Sequence, residues 1–242
     1  IRNLTGDWSS DVCSSDLKEE LTKFHRSCIA TAAGRLFLEK GIEKTTMDDI
    51  SKEADYSKAT IYVYFKNKDE IYNMIVYNSM KMLQDRIKKA ISENEDLFDR
   101  YFGICNELAC YQEEYPLYFE SSVGEINVDL ESEETPQVFH DIFMVGEEIN
   151  EDIGTFLLEG INQGIVRSDI QIPQTAFIFW ASIAGMIRMT GQKQKFIKKT
   201  MDSSIKEILK YGFETLLLSV LTKEAAKSYH PSTEFKIKEV FL

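Results

Sequence analysis

No stretch of this 242-residue sequence is apolar for long enough to cross a bilayer. The longest run, Ala176 to Ile187, is interrupted by Ser182 and Gly185. Cysteine is scarce, and the four present do not form a disulfide framework. Cys13 stands near the start of the sequence, and Cys28, Cys105 and Cys110 are an odd, scattered set. They read as buried reduced thiols, with a redox or metal sensor as the alternative. There is no Cys-x-x-Cys pair, and His25, His140 and His230 lie apart from the cysteines, so neither a metal site nor a cofactor is expected. His140 reads as a surface or hydrogen-bonded core histidine. Catalytic patterns are lacking too: no nucleophile motif and no phosphate-cradling glycine loop occur. The carboxylate pairs Asp48-Asp49, Glu113-Glu114, Glu133-Glu134 and Glu147-Glu148 are sequence neighbours, which point different ways on a helix. The chain is not expected to be an enzyme.

Positive charge is lacking in one part only. The net charge is −12, yet residues 18–90 carry 14 Lys+Arg against 11 Asp+Glu, and residues 172–242 carry 11 against 6. Residues 93–171 hold 2 against 20. Phosphate attraction is felt over about 10 Å at moderate salt, so a basic end can meet a polyanion while a remote acidic middle repels non-specific nucleic acid. That middle reads as a solvated acidic face, with selection for cationic ligands as the alternative. The 43% hydrophobic and 28% charged residues are those of an ordinary globular protein, large enough for a sizeable core. With reduced thiols and no span, a cytoplasmic location is expected.

Residues 45–68 carry the functional signal. Thr46 is a natural N-cap, followed by Met47, Ile50 and Ala54 at i, i+3 and i+7 as one apolar stripe. Ser57 caps a second short helix whose Ile61 and Phe65 point inward. Lys58, Thr60, Tyr62, Tyr64, Lys66 and Lys68 are left to face solvent or a polyanion. This is a helix-turn-helix spanning about 45–65, and its second helix suits the major groove of duplex DNA. Ser57, Lys58, Ala59, Thr60 and Val63 are the candidate base contacts; Thr46, Tyr62, Tyr64, Lys66 and Lys68 are better suited to phosphate.

From about Ile29 to Ile75 the sequence resembles the TetR/AcrR family of bacterial transcriptional regulators. The segments Ala32 to Gly41, Thr46 to Ala54 and Ser57 to Glu70 are similar, in order and spacing, to the family's first helix, second helix, and recognition helix with the start of its fourth. Asp55 and Ala59 stand where the family usually has glycine; Asp tolerates positive φ better than most residues. The resemblance implies an all-α fold of about nine helices. A three-helix DNA-binding head at 18–67 would precede a ligand-binding and dimerisation body at 68–222 and a tail at 223–242. It also implies a homodimeric repressor on double-stranded operator DNA, released by a small-molecule effector. An effector-less DNA-binding adaptor or architectural protein is the alternative. Residues 1–17 stand outside this scheme. Asp7 to Leu17 resembles one translated frame of a common sequencing adapter, and no basic segment followed by an apolar stretch marks a signal peptide. Trp8 and Cys13 are assigned no role.

The remaining helices are read from periodicity. The first spans Lys18 to Lys40, with Ile29, Ala32, Ala33, Leu36 and Phe37 on one face. The fourth, Lys68 to about Ser92, has Ile71, Met74, Ile75 and Met82 inward. Further helices are expected over 96–114, 116–125, 136–164, 173–190 and 200–221. Aromatics concentrate in the middle, so Tyr101, Phe102, Cys105, Tyr118, Phe119, Phe143, Phe156 and Trp180 are the candidate ligand-pocket residues. The last two helices carry apolar stripes, and Trp180, Ile183, Ile187, Ile205, Leu209, Phe213 and Leu216 are the expected dimer contacts. Gly185 and Gly212 would allow close approach between copies. An intramolecular core is the other reading of those stripes.

Overall fold

A computed structural model describes residues 10–124, 131–132 and 135–230. The start of the leader, Glu125, most of the acidic stretch 129–134 and the tail beyond 230 lie outside the described residues. The described chain is helical, with eleven helices and a single isolated bridge between Val166 and Leu221. It divides into two compact units, with the boundary between Ile75 and Val76.

The first unit contains α1 (Ser10–Lys40), α2 (Met47–Glu53), α3 (Lys58–Tyr64) and the opening turns of α4 (Lys68–Ser92). Helix α1 starts eight residues before the expected Lys18. Its early apolar residues stay outside the core: Leu17 and Phe24 are 70% and 60% exposed, with the Phe24 ring edge-on to His25. Burial begins at Ile29, and Ala32, Ala33 and Phe37 continue it at the spacing of a helix face. Helix α1 packs on α2 and α3, where Ile50, Ile61 and Phe65 are buried, and the Phe37 ring meets Tyr72 of α4, whose Ile71 and Ile75 are also buried. Gly41 closes α1 with φ +83°, and its amide bonds the Phe37 carbonyl.

The second unit contains the rest of α4, then α5 (Leu97–Glu114), α6 (Pro116–Ser122), α7 (Gln137–Asn162) and α8 (Ile172–Gln192). It ends with α9 (Gln194–Met201), α10 (Ile205–Leu218) and α11 (Lys223–Ser228). Two of these, α9 and α11, are not separated by periodicity alone. Lys193 interrupts the path from α8, and Asp202 ends α9 at φ 49°. Helix α8 packs against α7, α5 and α10. Buried tyrosines bond backbone carbonyls across this core: Tyr101 Oη donates to Phe213 O at 2.9 Å, and Tyr111 Oη to Ser79 O at 2.9 Å. The α7–α8 turn is stitched to the end of α10, with Arg167 N donating to Val220 O and Thr222 N to Ile165 O.

That core corrects five of the seven expected dimer contacts. Ile183, Ile187, Ile205, Leu209 and Phe213 are all buried within their own chain, and Trp180 and Leu216 pack against the same cluster. The close approach at Gly212 is also internal, because a Cβ there would run into Met186 Sδ. The physical reason is that α8 and α10 are apolar on two sides, and the richer side faces inward. Their outward apolar residues are Phe177, Ile178, Met189, Tyr211 and Leu218.

Phe213→Ala should therefore lower unfolding stability by about 3–5 kcal/mol, the usual cost of a large core cavity. Denaturant titration at two protein concentrations checks this. The loss should be the same at both, whereas a loss growing on dilution would return Phe213 to an interface.

Candidate nucleic-acid interface and body cavity

The head's second and third helices have seven residues each, so their ends must be satisfied by side chains. At the start of α2 the Thr46 hydroxyl accepts from Asp49 N at 3.2 Å, while Asp49 Oδ2 accepts from Thr46 N at 2.9 Å, a reciprocal capping box. Lys40 reaches the same carboxylate at 2.7 Å. The Lys40 ammonium, then the Thr46 hydroxyl and amide, hold Asp49 well below the usual carboxylate range. Asp55 turns the chain with φ 57°, the left-handed conformation its position calls for. Ser57 then caps α3, accepting from Thr60 N at 3.0 Å.

Helix α3 turns Ile61 inward, with Phe65 beside it, and presents Lys58, Ala59, Tyr62 and Val63 outward. Val63 is 78% exposed and Tyr62 48%. The ten expected DNA contacts thus share the head, but their side chains are not equally free. Ser57 Oγ and Thr60 Oγ1 share a hydrogen bond at 2.7 Å. Lys58 Nζ lies 2.6 Å from Asp48 Oδ1, and hydrogen bonding to that carboxylate followed by its charge raises the lysine pKa. Thr46 is committed to its capping box. Lys68, read as a phosphate contact, is half-buried, and its ammonium donates to Ile42 O at 2.9 Å and Glu43 O at 3.3 Å. It closes the loop between α1 and α2. Lys66 stays exposed, with its amide donating to Glu70 Oε2 at 2.8 Å.

The exit of α3 rests on residues that sequence reasoning does not single out. Arg26 of α1 donates from Nη1 to Tyr64 O at 2.6 Å and lies 4.2 Å from the centre of the Phe65 ring. Its guanidinium is also 3.8 Å from Glu70. His25 Nδ1 is bonded to the Tyr56 hydroxyl, and its ring lies 5.3 Å from that of half-buried Tyr64. The only sequence signal for Arg26 is its place one turn before Ile29, at the edge of the buried face.

In the second unit a cavity of about 230 Å³ lies among α4, α5, α7 and α8. Three of the eight expected pocket residues line it: Tyr101, Phe156 and Trp180. Phe102, Cys105 and Phe119 are instead core, where burial pushes the Cys105 thiol well up. Tyr118 stacks on Tyr115 with centroids 5.9 Å apart, and Phe143 is 48% exposed. Much of the wall is aliphatic, including Met80, Leu83, Ile87, Ile104 and Ile149. No lining residue is charged. Of the polar liners, Tyr101 donates its hydroxyl proton to Phe213 O, and Asn150 Nδ2 donates to Glu147 Oε1 at 3.3 Å. Among the described residues no cluster of His, Cys, Asp and Glu could hold a metal ion, and no helix is long and apolar enough to cross a membrane.

Residues 29–75 match the family model described as bacterial regulatory proteins, tetR family. The negative transcriptional regulator IcaR of the biofilm operon icaADBC in Staphylococcus epidermidis is 30% identical over 112 residues, 40% of this chain and 60% of that protein. The chain spans about half the length of the curated relatives it matches. Among solved structures, the TetR-family regulator PfmR from Thermus thermophilus superposes with a TM-score of 0.61 at 23% identity, over 78% of this chain and 96% of that one. FadR from Bacillus subtilis, solved with stearoyl-CoA, gives 0.60 at 16% identity, over 79% and 97%.

Arg26→Ala should loosen the exit of α3 without unfolding the body. A hydrogen bond from a charged donor is worth about 1.5–3 kcal/mol, so the backbone amides at the end of α3 should exchange roughly 10-fold faster or more. Hydrogen exchange resolved by residue checks this, and unchanged protection of α3 would show that Arg26 holds nothing.

Proposed function

The chain belongs to the TetR family of bacterial regulatory proteins, and from that premise we propose that it is a DNA-binding transcriptional repressor. It works as a homodimer and leaves its operator when a small molecule occupies the body cavity. The observation that carries the reading is the outward side of α3, presented on a head whose core, caps and Arg26 clamp fix its direction. In this mechanism each subunit lays α3 in one major-groove segment of a near-palindromic site. Helix α4 supplies Ile71 and Ile75 to the head core and Met80, Leu83 and Ile87 to the cavity wall. A ligand pressing on that wall thus acts on a helix that the head also uses, which is the differential contact that release requires.

The cavity supports a sensor over an adaptor, and it also limits the effector. A buried charge without a partner costs several kcal/mol, and the lining offers none. Its polar edge, formed by Tyr101, Ser122 and Asn150, holds no cation to meet a carboxylate. The effector is therefore an uncharged, largely apolar molecule. The dimer contact is the outward edge of α8 and α10, centred on Ile178 and Tyr211, each more than half exposed on the single chain.

Two measurements test the reading. In a Trp8→Phe background Trp180 is the sole tryptophan, so its emission reports cavity occupancy directly. Titration with 1-decanol should change it at concentrations at least 10-fold below those of decanoate, and the alcohol should release DNA. Equal response to both would contradict an uncharged site. Separately, Ile178→Glu and Tyr211→Glu should yield folded monomers in sedimentation velocity. Monomer binding should fall to the non-specific range, roughly 10⁻⁴–10⁻⁶ M. Dimers with normal binding would place the interface elsewhere.

A further inference from the structure

The Ser57, Lys58 and Thr60 side chains of the recognition helix are engaged within the protein, while Val63, an apolar residue, is 78% exposed. The Ser57 and Thr60 hydroxyls bond each other, and Ser57 also caps the helix. Lys58 is paired with Asp48. Outward there remain Ala59, Tyr62 and Val63, with Val63 78% exposed. Ala59 and Val63 are four residues apart, so their methyl groups share one side of α3. An apolar side chain can read only one feature of the major-groove edge, the C5-methyl group of thymine; every other distinguishing group there is a hydrogen-bond donor or acceptor.

We propose that Ala59 and Val63 read thymine methyl groups, so that sequence preference rests on methyl contacts and not on a hydrogen-bond code from Ser57 or Thr60. This rests on the DNA-binding reading above. Four residues of helix rise about 6 Å, close to two base steps at about 3.4 Å each. The two side chains therefore address thymines about two positions apart in each half-site.

The test begins with selection of binding sites from a random duplex pool by the full chain. Each thymine of the selected site is then replaced singly by deoxyuridine, which removes the methyl and keeps base pairing. Binding is followed by fluorescence anisotropy at fixed salt. At one or two positions per half-site the substitution should weaken binding about 4-fold, the factor for losing one buried methyl-sized group. Val63→Ala, which leaves the core untouched, should abolish the penalty at one of these positions. Thr60→Ala should leave every penalty in place. Restoring the methyl as 5-methylcytosine opposite guanine should bind better than cytosine opposite guanine at the same position. A selected site indifferent to deoxyuridine throughout overturns methyl readout while leaving the DNA-binding function intact. Failure to enrich any sequence overturns both.

Discussion

A seven-residue helix does not persist alone in water, because nucleation costs more than so few backbone bonds return. Helix α3 exists because Ile61 and Phe65 are buried against α1, α2 and α4, each burial contributing about 1.5–3 kcal/mol. The rest of the head depends on this packing. The Ser57 cap fixes where α3 begins, Asp55 supplies the turn, and Arg26 holds the carbonyl at the far end. Lys68 then ties the start of α4 to the loop that precedes α2. These contacts leave α3 a direction in space, and a groove reader needs a direction more than it needs affinity.

The head is legible in the sequence because its signals are local. A threonine three residues before an aspartate, a serine three before a threonine, and apolar residues at i and i+4 each determine a cap or a face within one or two turns. The body is legible only as helices. Ile183, Ile187, Leu209 and Phe213 form apolar stripes, and periodicity registers that a stripe is covered without saying by what. A core and an interface share the same chemistry, so α8 and α10 look alike on both sides until tertiary packing assigns Phe213 inward and Tyr211 outward. The cavity is harder still. Aromatic content points to Phe102 and Phe119, which are packed solid, whereas much of the wall is aliphatic and drawn from four helices. A cavity forms where side chains stop short of each other, and that is a property of several distant segments at once.

Side-chain engagement explains why the residue-by-residue reading of the interface changes. From sequence, Lys68 and Thr60 are unpaired donors. In the fold, Lys68 serves two carbonyls and Thr60 serves Ser57. Lys58 and Lys40 each meet a carboxylate of α2, Asp48 and Asp49 respectively. Such exposed pairs add little stability, about 0–1 kcal/mol, and they engage two ammonium groups that would otherwise be free to meet phosphate. The net excess of three positive charges over residues 18–90 already counts both partners of these pairs, so pairing redistributes that charge without reducing it. On the proposed function, discrimination then falls to close apolar contact.

A similar constraint governs any coupling between cavity and DNA. A ligand shifts an equilibrium only by its difference in affinity for two states, and an uncharged molecule in an apolar cavity gains that difference through packing alone. Helix α4 is where packing can count twice, since Leu83 and Ile87 face the cavity while Ile71 and Ile75 face the head core. Ten residues of helix separate Ile71 from Lys81, a rise of about 15 Å with no glycine or proline to absorb a bend. In the proposed mechanism the regulator needs no polar relay between its sites. On that reading its sensitivity is set by how completely a ligand fills the space beside Met80 and Leu83, so larger effectors should act through the same contacts as smaller ones, but more strongly.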